Sequence, residues 1–168
     1  PKLSFATNIF ISFVSFAENL PFYGHILLNL DDTNIRKISK DIHRRQITFG
    51  FNSKNRYQIT NANIENGHQK FQLTDHVNKK CFNFSTNLSG KHNLYNVTAA
   101  ICVAIQENIS VQDIAKGLAD FRGVGRRFEL SKIYFSKHSH VLIDDYGHHP
   151  AEILSTVLAA KEKYPRQK

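Results

Sequence analysis

The sequence predicts an α/β protein: one α/β domain that carries a small antiparallel sheet, followed by the opening strand and helix units of a second α/β domain. Three observations predict this. Apolar residues recur at helical spacing near both ends of the chain, apolar and polar residues alternate through its middle, and a glycine-rich stretch at 123–125 separates the two parts. The 168 residues can bury a hydrophobic core. We therefore predict an earlier domain, 1–122, and a truncated later one, 123–168.

The first third of the chain predicts a helix, a strand, a short helix and a strand. Apolar residues recur every three or four positions up to Leu20, which is typical of an amphipathic helix with a buried stripe, and Pro21 ends it. Asp31-Asp32-Thr33 offers an N-cap for a short helix that runs to Lys40. The predicted strands are 25–30 and 46–49, and the predicted stripe consists of Phe5, Ile9, Phe10, Phe13, Phe16, Ala17 and Leu20.

The middle of the chain predicts an antiparallel meander. Apolar and polar side chains alternate in three runs, 57–60, 71–74 and 82–88, as they do in strands with one buried face. Asn66-Gly67 lies between the first two runs. This dipeptide favours a tight hairpin because both residues tolerate positive φ.

Two helices, two strands and a final helix are predicted for the rest. Ser110 and Asp113 resemble a capping box, and Pro150 suits the first turn of a last helix that runs to about Lys163. The strands are predicted at 128–135 and 140–143. The apolar stripes are Val97, Ala100, Ile101, Ala104 and Ile105 in the first helix, and Val111, Ile114, Ala115 and Leu118 in the second.

Charge and composition restrict the function. A formal charge of +8 and a pI near 9.6 favour anionic ligands, yet the basic residues form no long run. Cys81 and Cys102 lack C-x-x-C spacing, so neither a disulfide scaffold nor a zinc site is predicted, and a cytoplasmic location fits. The longest apolar stretch, 9–16, is too short to span a bilayer. Because methionine is absent even at position 1, we expect a segment of a longer protein.

Three polar clusters can carry chemistry, and the first is Ser89-Gly-Lys-His-Asn-Leu-Tyr-Asn96. It collects His92, Asn93 and Asn96 at the start of a helix, where free backbone N–H groups and amide side chains can meet phosphates or base edges. The alternative is that His92 or Asn93 only caps the helix.

The second cluster is Gly123-Val-Gly-Arg-Arg-Phe128. Its glycines present Arg126 and Arg127, whose guanidinium groups match phosphate oxygens bidentately. The alternative is a solvated loop whose arginines pair with acidic neighbours.

The third cluster is Val141-Leu-Ile-Asp-Asp-Tyr-Gly-His-His-Pro-Ala-Glu152, an apolar strand that ends in acids, an aromatic residue and two histidines. Ligands of open α/β sheets bind at such carboxyl ends of strands. Asp145 can accept ribose hydroxyls, while Tyr146 and His148 can donate to a carboxylate or phosphate. The alternatives are two purely structural histidines, or a metal site made of Asp145, His148, His149 and Glu152.

Together these runs resemble the Mur ligase family. Lys91-His-Asn-Leu-Tyr-Asn-Val-Thr-Ala-Ala100, Gly123–Phe128 and Asp144–Pro150 look like signatures of the members that join L-alanine to UDP-N-acetylmuramic acid. Leu20-Pro-Phe-Tyr-Gly24 with Asp31-Asp32 resembles the same enzymes upstream, with similar spacing. The resemblance implies that 1–122 is the later part of a central ATP-binding domain and that 123–168 begins a Rossmann-like C-terminal domain.

The resemblance also implies an ATP-dependent ligase of peptidoglycan synthesis. In that family ATP phosphorylates the carboxylate of UDP-N-acetylmuramic acid, and the amine of L-alanine attacks the acyl phosphate, with Mg²⁺ as a cofactor. For this sequence the resemblance implies that three residues, His92, Asn93 and Asn96, contact the adenine of ATP.

The remaining roles follow from the same resemblance. Asp145 would bind the ribose, and Arg126 would bind the phosphates as one catalytic residue. His148, the other catalytic residue, would face the muramoyl carboxylate or the incoming alanine together with Tyr146. Arg127 and His149 are left with supporting roles.

The sequence lacks a phosphate anchor for ATP and leaves more than one function open. The chain has no G-x-x-x-x-G-K-[ST] loop, so we expect the phosphate anchor and the Mg²⁺ ligands outside this segment and no turnover by the segment alone. A recycling ligase that adds a tripeptide to the same UDP-sugar is less favoured, because Tyr146-Gly147 stands where we expect Phe-Ala in that enzyme. A basic nucleic-acid-binding module and a degenerate fragment kept for interactions also stay open. The main prediction includes no nucleic acid and no membrane.

Overall fold

The computed structural model describes residues 5–135 and 138–165 and has the mixed α/β architecture that the sequence predicts. Every predicted helix and strand is present, with ends displaced by a few residues. In none of the described helices is an apolar stretch long enough to cross a membrane. The elements are α1 Phe5–Glu18, β1 His25–Asn29, α2 Thr33–Ile38, β2 Arg45–Gly50, β3 Tyr57–Glu65, β4 His68–Asp75, β5 Lys80–Thr86, α3 Lys91–Gln106, α4 Val111–Asp120, β6 Glu129–Phe135, β7 His138–Asp144 and α5 Pro150–Lys163.

One mixed sheet contains the first five strands in chain order, β1 to β5. β1 and β2 pair in parallel, as do β2 and β3. The meander follows in the same sheet, because the short connections from β3 to β4 and from β4 to β5 allow only antiparallel pairing. Asn66 (φ 51°) and Gly67 (φ 78°) form the predicted hairpin turn. β6 and β7 form a separate antiparallel pair.

The backbone contacts divide the chain into two compact units. Residues up to Asn61 form the first unit together with Gln72–Phe82, and Ala62–Phe71 forms the second together with the residues from Asn83 onward. The β3–β4 hairpin therefore contributes to both units. The domain boundary between 122 and 123 stays a prediction.

The buried face of α1 differs from the apolar stripe that the sequence predicts. Ala17 is buried with Leu28, Ile38 and Ile42, and Phe10 and Val14 pack partly against them. Three residues of the predicted stripe, Ile9, Phe13 and Phe16, are exposed instead, and the side chain of Phe5 lies outside the described residues. The prediction was wrong because α1 is apolar around most of its circumference, so spacings of three and four fit more than one face.

The buried face of α3 is displaced from its predicted stripe. Val97 and Ile101 are buried as predicted, but Ala100 is exposed, and the face continues through Leu94 and Cys102. Alanine contributes little apolar area, so the larger Leu94 and Ile101 determine which side of the helix is buried. Leu94 is part of the first turn, which fixes the neighbouring polar residues of that turn in place.

The N-cap of α4 is the predicted one and allows a test of helix stability. Ser110 Oγ accepts the Asp113 N–H at 3.1 Å and donates to its carboxylate at 2.6 Å. We expect Ser110→Ala to lower the free energy of unfolding by about 1 kcal/mol, because one helix N–H loses its acceptor. Gln112→Ala, in the exposed part of the same turn, is the control. Equal urea midpoints for the two variants would contradict the role of the cap.

Candidate functional site

A cleft of about 350 Å³ in the second unit brings four segments together. They are the first turns of α3, the Gly123–Phe128 loop through Arg127, the loop that follows β7, and the first half of α5. Residues of all three predicted clusters meet here, although the first and the third cluster lie far apart in the sequence. The predicted site residues that line the cleft are His92, Asn93, Asn96, Asp145, Tyr146 and His148.

The first turn of α3 supplies the polar wall of the cleft. Gly90 is the N-cap with φ 94°, and no side chain caps the helix. The alternative in which His92 or Asn93 caps α3 is therefore wrong. The Asn93 amide nitrogen donates to the Ser89 carbonyl at 2.8 Å, which fixes this buried side chain. Burial lowers the pKa of His92; the Asp145 charge opposes that shift and the Arg127 charge adds to it.

Asp145 links the Gly123–Phe128 segment, which we call the arginine loop, to the loop that follows β7. Its carboxylate accepts the backbone N–H of Phe128 at 2.9 Å and that of Gly147 at 2.8 Å. The Tyr146 N–H donates to the Arg126 carbonyl at 2.8 Å, which adds a third link. Partial burial raises the pKa of Asp145, but the hydrogen bonds from the Gly147 and Phe128 amides and from the Thr156 side chain, together with the His92 charge, outweigh it and hold that pKa below the usual range.

Arg126 lies beside the cleft and Arg127 lines it. The Arg126 guanidinium is 5.3 Å from the centre of the Tyr146 ring, and its Nε is 3.7 Å from the Asp144 carboxylate. In this conformation Arg126 therefore matches the alternative stated above, in which an arginine of the loop pairs with an acidic neighbour, here Asp144. Both members of the pair are exposed, and such a pair contributes little stability and is easily exchanged for another anion.

Glu152 organises the histidine pair, a role that sequence reasoning missed. Its Oε2 accepts the backbone N–H groups of His148 and His149, each at 3.2 Å. The His149 ring accepts the Ala151 N–H at 3.3 Å, so His149 is the N-cap of α5. The signal was available: an acid three residues after a residue that can act as a cap is the pattern of a capping box.

His148 is the histidine that remains available to a ligand. Its ring contacts the edge of the Tyr146 ring, with centroids 5.6 Å apart, and its Nδ1 lies 3.9 Å from Glu152. Its side chain is largely exposed and lines the cleft. The two adjacent histidines thus differ in role: His149 caps α5, and His148 lines the cleft.

The residues of this site do not form a metal centre. Among residues 5–135 and 138–165, no three His, Cys, Asp or Glu side chains converge on a position where an ion could bind. Asp145 faces the amides of Phe128 and Gly147, and the His149 nitrogen is used by the Ala151 amide. The alternative metal site made of Asp145, His148, His149 and Glu152 is therefore not supported.

The pKa of Asp145 predicts a pH dependence of stability. Because its folded-state pKa lies below the unfolded value of about 3.9, its ionised form stabilises the fold at pH values above that, and this stabilisation is lost as the pH falls through the folded-state pKa. We expect Asp145→Asn to lower the free energy of unfolding at pH 7 and to have little effect at the acid limit. Urea unfolding at pH 7, 5 and 3 measures this, and a constant difference between wild type and variant would contradict it.

A family model and curated relatives identify the family of this chain. The family model described as the Mur ligase middle domain matches residues 4–104. A UDP-N-acetylmuramate–L-alanine ligase of Buchnera aphidicola is 41% identical over 167 residues, which are 96% of this chain and 34% of that protein. The chain thus spans about a third of the length of the curated relatives it matches.

Solved structures show the same fold. The UDP-N-acetylmuramate–alanine ligase of Thermotoga maritima matches with a TM-score of 0.68 at 23% identity, over 92% of this chain and 41% of that one. A MurF ligase of the same organism, solved in complex with ADP, matches with a TM-score of 0.73 at 17% identity, over 95% of this chain and 36% of that one.

Proposed function

The chain belongs to the Mur ligase family, and from this premise we propose that it is part of an ATP-dependent ligase that adds L-alanine to UDP-N-acetylmuramic acid in peptidoglycan synthesis. Its own contribution is the binding of ATP and the positioning of the acyl acceptor. The names of its relatives support this proposal, since those that are 37–41% identical are UDP-N-acetylmuramate–L-alanine ligases.

The observation that carries the proposal is the shared cleft of α3 and the loop after β7. Amide groups of Asn93 and Asn96 can donate and accept at a base edge. The Asp145 carboxylate has about four acceptor positions, so it retains capacity for a ribose hydroxyl beyond its two amide bonds and the Thr156 hydroxyl. Arginines on the adjoining loop carry the charge that phosphates require. The ADP in the related MurF structure is consistent with a nucleotide here.

We assign the phosphates to Arg126. To bind the phosphates, the Arg126 guanidinium leaves Asp144 and pairs with the polyphosphate. Breaking the pair with Asp144 requires little free energy because both side chains are exposed. A guanidinium at that place stabilises the charge that develops when the γ-phosphoryl group passes from ATP to the carboxylate oxygen and ADP leaves.

We assign the second half of the reaction to His148 and Tyr146. The alanine nitrogen attacks the acyl carbon, phosphate leaves, and the nitrogen loses a proton. The exposed His148 ring can accept that proton, while the Tyr146 hydroxyl can donate to the carboxylate. We assign the Mg²⁺ ligands to other parts of the ligase, together with the phosphate-binding loop that this sequence lacks.

An ADP titration of the chain tests the nucleotide cleft. We expect ADP to shift the amide resonances of His92, Asn96 and Tyr146, and Asn96→Ala to weaken binding about tenfold, because one polar contact to the base is lost. Asn63→Ala is the control, since this exposed asparagine of β3 does not line the cleft. An ADP affinity that is unchanged by Asn96→Ala would overturn the assignment. Amide chemical-shift changes confined to residues outside the cleft would do the same.

Turnover assays test the whole activity. We expect no ligation by residues 1–168 alone, because the sequence lacks the phosphate-binding loop that ATP requires. In the longer ligase we expect L-alanine to support ADP release and a tripeptide to fail. Alanine ligation by the isolated chain would contradict the first expectation, and tripeptide-dependent ADP release would favour the recycling ligase.

A further inference from the structure

A second cleft in the same unit, which we call the lysine cleft, adjoins the nucleotide cleft. Its volume is about 380 Å³, and Asn93 and Arg127 line both. Ser89 and Phe128 are among its buried residues, and the loop 122–125 and Lys163 of α5 complete the wall. The assigned roles of the nucleotide site make no use of Ser89 or Lys163.

The charges around the lysine cleft are unbalanced. Arg122, Arg127 and Lys163 contribute three positive charges, and Glu129 contributes one negative charge, so the lining carries +2. Glu129 already accepts the Arg126 N–H at 2.9 Å. None of the ion pairs found among the described residues includes Arg122, Arg127 or Lys163. Three cations without a carboxylate partner at one concave place favour an anionic ligand.

Lys163 is held in position and not free in solvent. Its ammonium donates to the Ser89 hydroxyl at 3.1 Å, and Ser89 is itself 4% exposed. Burial lowers the pKa of Lys163, and an anion beside the ammonium would oppose that shift. Lysine provides a point charge and arginine a planar fork, and the two together suit the tetrahedral oxygens of phosphate.

We propose that the lysine cleft binds a phosphate dianion, separately from the nucleotide. The +2 lining matches the charge of this ligand, and the Ser89 hydroxyl and the Lys163 ammonium can both donate hydrogen bonds to it. The proposal does not rest on the ligase activity, because it concerns a site on this chain that exists with or without turnover.

Phosphate titration of the full chain tests the proposal. At constant ionic strength, inorganic phosphate is expected to shift the amide resonances of Ser89, Gly123 and Gly125 saturably, and chloride is expected to leave them unchanged. Lys163→Gln should weaken phosphate binding about tenfold or more, because a charge-assisted bond is lost. Lys161→Gln is the matched control, since it removes the same charge from α5 outside the cleft.

Several outcomes would overturn the proposal. One is an amide shift that does not saturate with phosphate or that chloride reproduces. A second is an equal loss of phosphate affinity in the two lysine variants, and a third is a set of amide shifts at Asn96 and Tyr146 in place of Ser89. Phosphate binding that disappears at saturating ADP would equally refute a separate site. Circular dichroism of both variants establishes that they fold. Failure here leaves the ADP titration unaffected, so the two proposals can be judged apart.

Discussion

Asp145→Ala is expected to weaken ADP binding roughly a hundredfold. The carboxylate holds the Phe128 and Gly147 amides at 2.9 and 2.8 Å, so its removal frees the arginine loop and the loop after β7 together. In our assignment it also removes the acceptor for the ribose. Hydrogen bonds to a charged group contribute about 1.5–3 kcal/mol each, so loss of one or two gives an effect of this size.

The neighbouring acid supplies the matched control for this prediction. Asp144→Asn should change ADP affinity less than about threefold, because the Asp144 side chain makes an exposed pair with Arg126 and does not line the cleft. Calorimetry with ADP measures both variants. Equal losses for Asp144→Asn and Asp145→Ala would show that only the local negative charge matters and would contradict the positioning role of Asp145.

Most elements were predictable because their signals are local. Asn66-Gly67 indicated the hairpin through positive φ, Ser110 indicated the N-cap of α4, and Pro150 marked the first residue of α5. The buried faces were less predictable. In α1, Phe13 and Phe16 were expected inside and are exposed, because the periodicity of an apolar helix does not reveal which side meets β1 and α2.

The candidate site shows the same division between local and non-local information. The sequence indicated Asn96 and His148 as polar residues next to helix starts, and the structure places both on one cleft. Which arginine lines that cleft could not be predicted, because neighbouring residues of a loop have no fixed periodicity. Arg126 has φ 56° and turns toward Asp144, while Arg127 lines the cleft. Long-range contacts of this kind are absent from local patterns.

Gly90→Ala is expected to be the most destabilising single substitution at the site. Gly90 has φ 94° and ψ 147°, a conformation that is essentially restricted to glycine, and a Cβ there would lie 2.8 Å from the Ala159 Cβ. Strain and overpacking together predict a loss of roughly 2–5 kcal/mol in the free energy of unfolding. Because α5 would have to move away from α3, ADP affinity should fall as well.

A second glycine distinguishes this mechanism from a general effect of adding a methyl group. Gly117 lies within α4, where a Cβ would meet no atom within 4 Å, so Gly117→Ala should raise the free energy of unfolding by about 0.5–1 kcal/mol. Urea unfolding of both variants is the measurement. The change in the free energy of unfolding should have opposite signs in the two variants if the Gly90 conformation and the closeness of Ala159 determine the loss of stability. A Gly90→Ala variant as stable as wild type would mean that α3 and α5 do not pack at this distance, and the shared cleft would lose its physical basis.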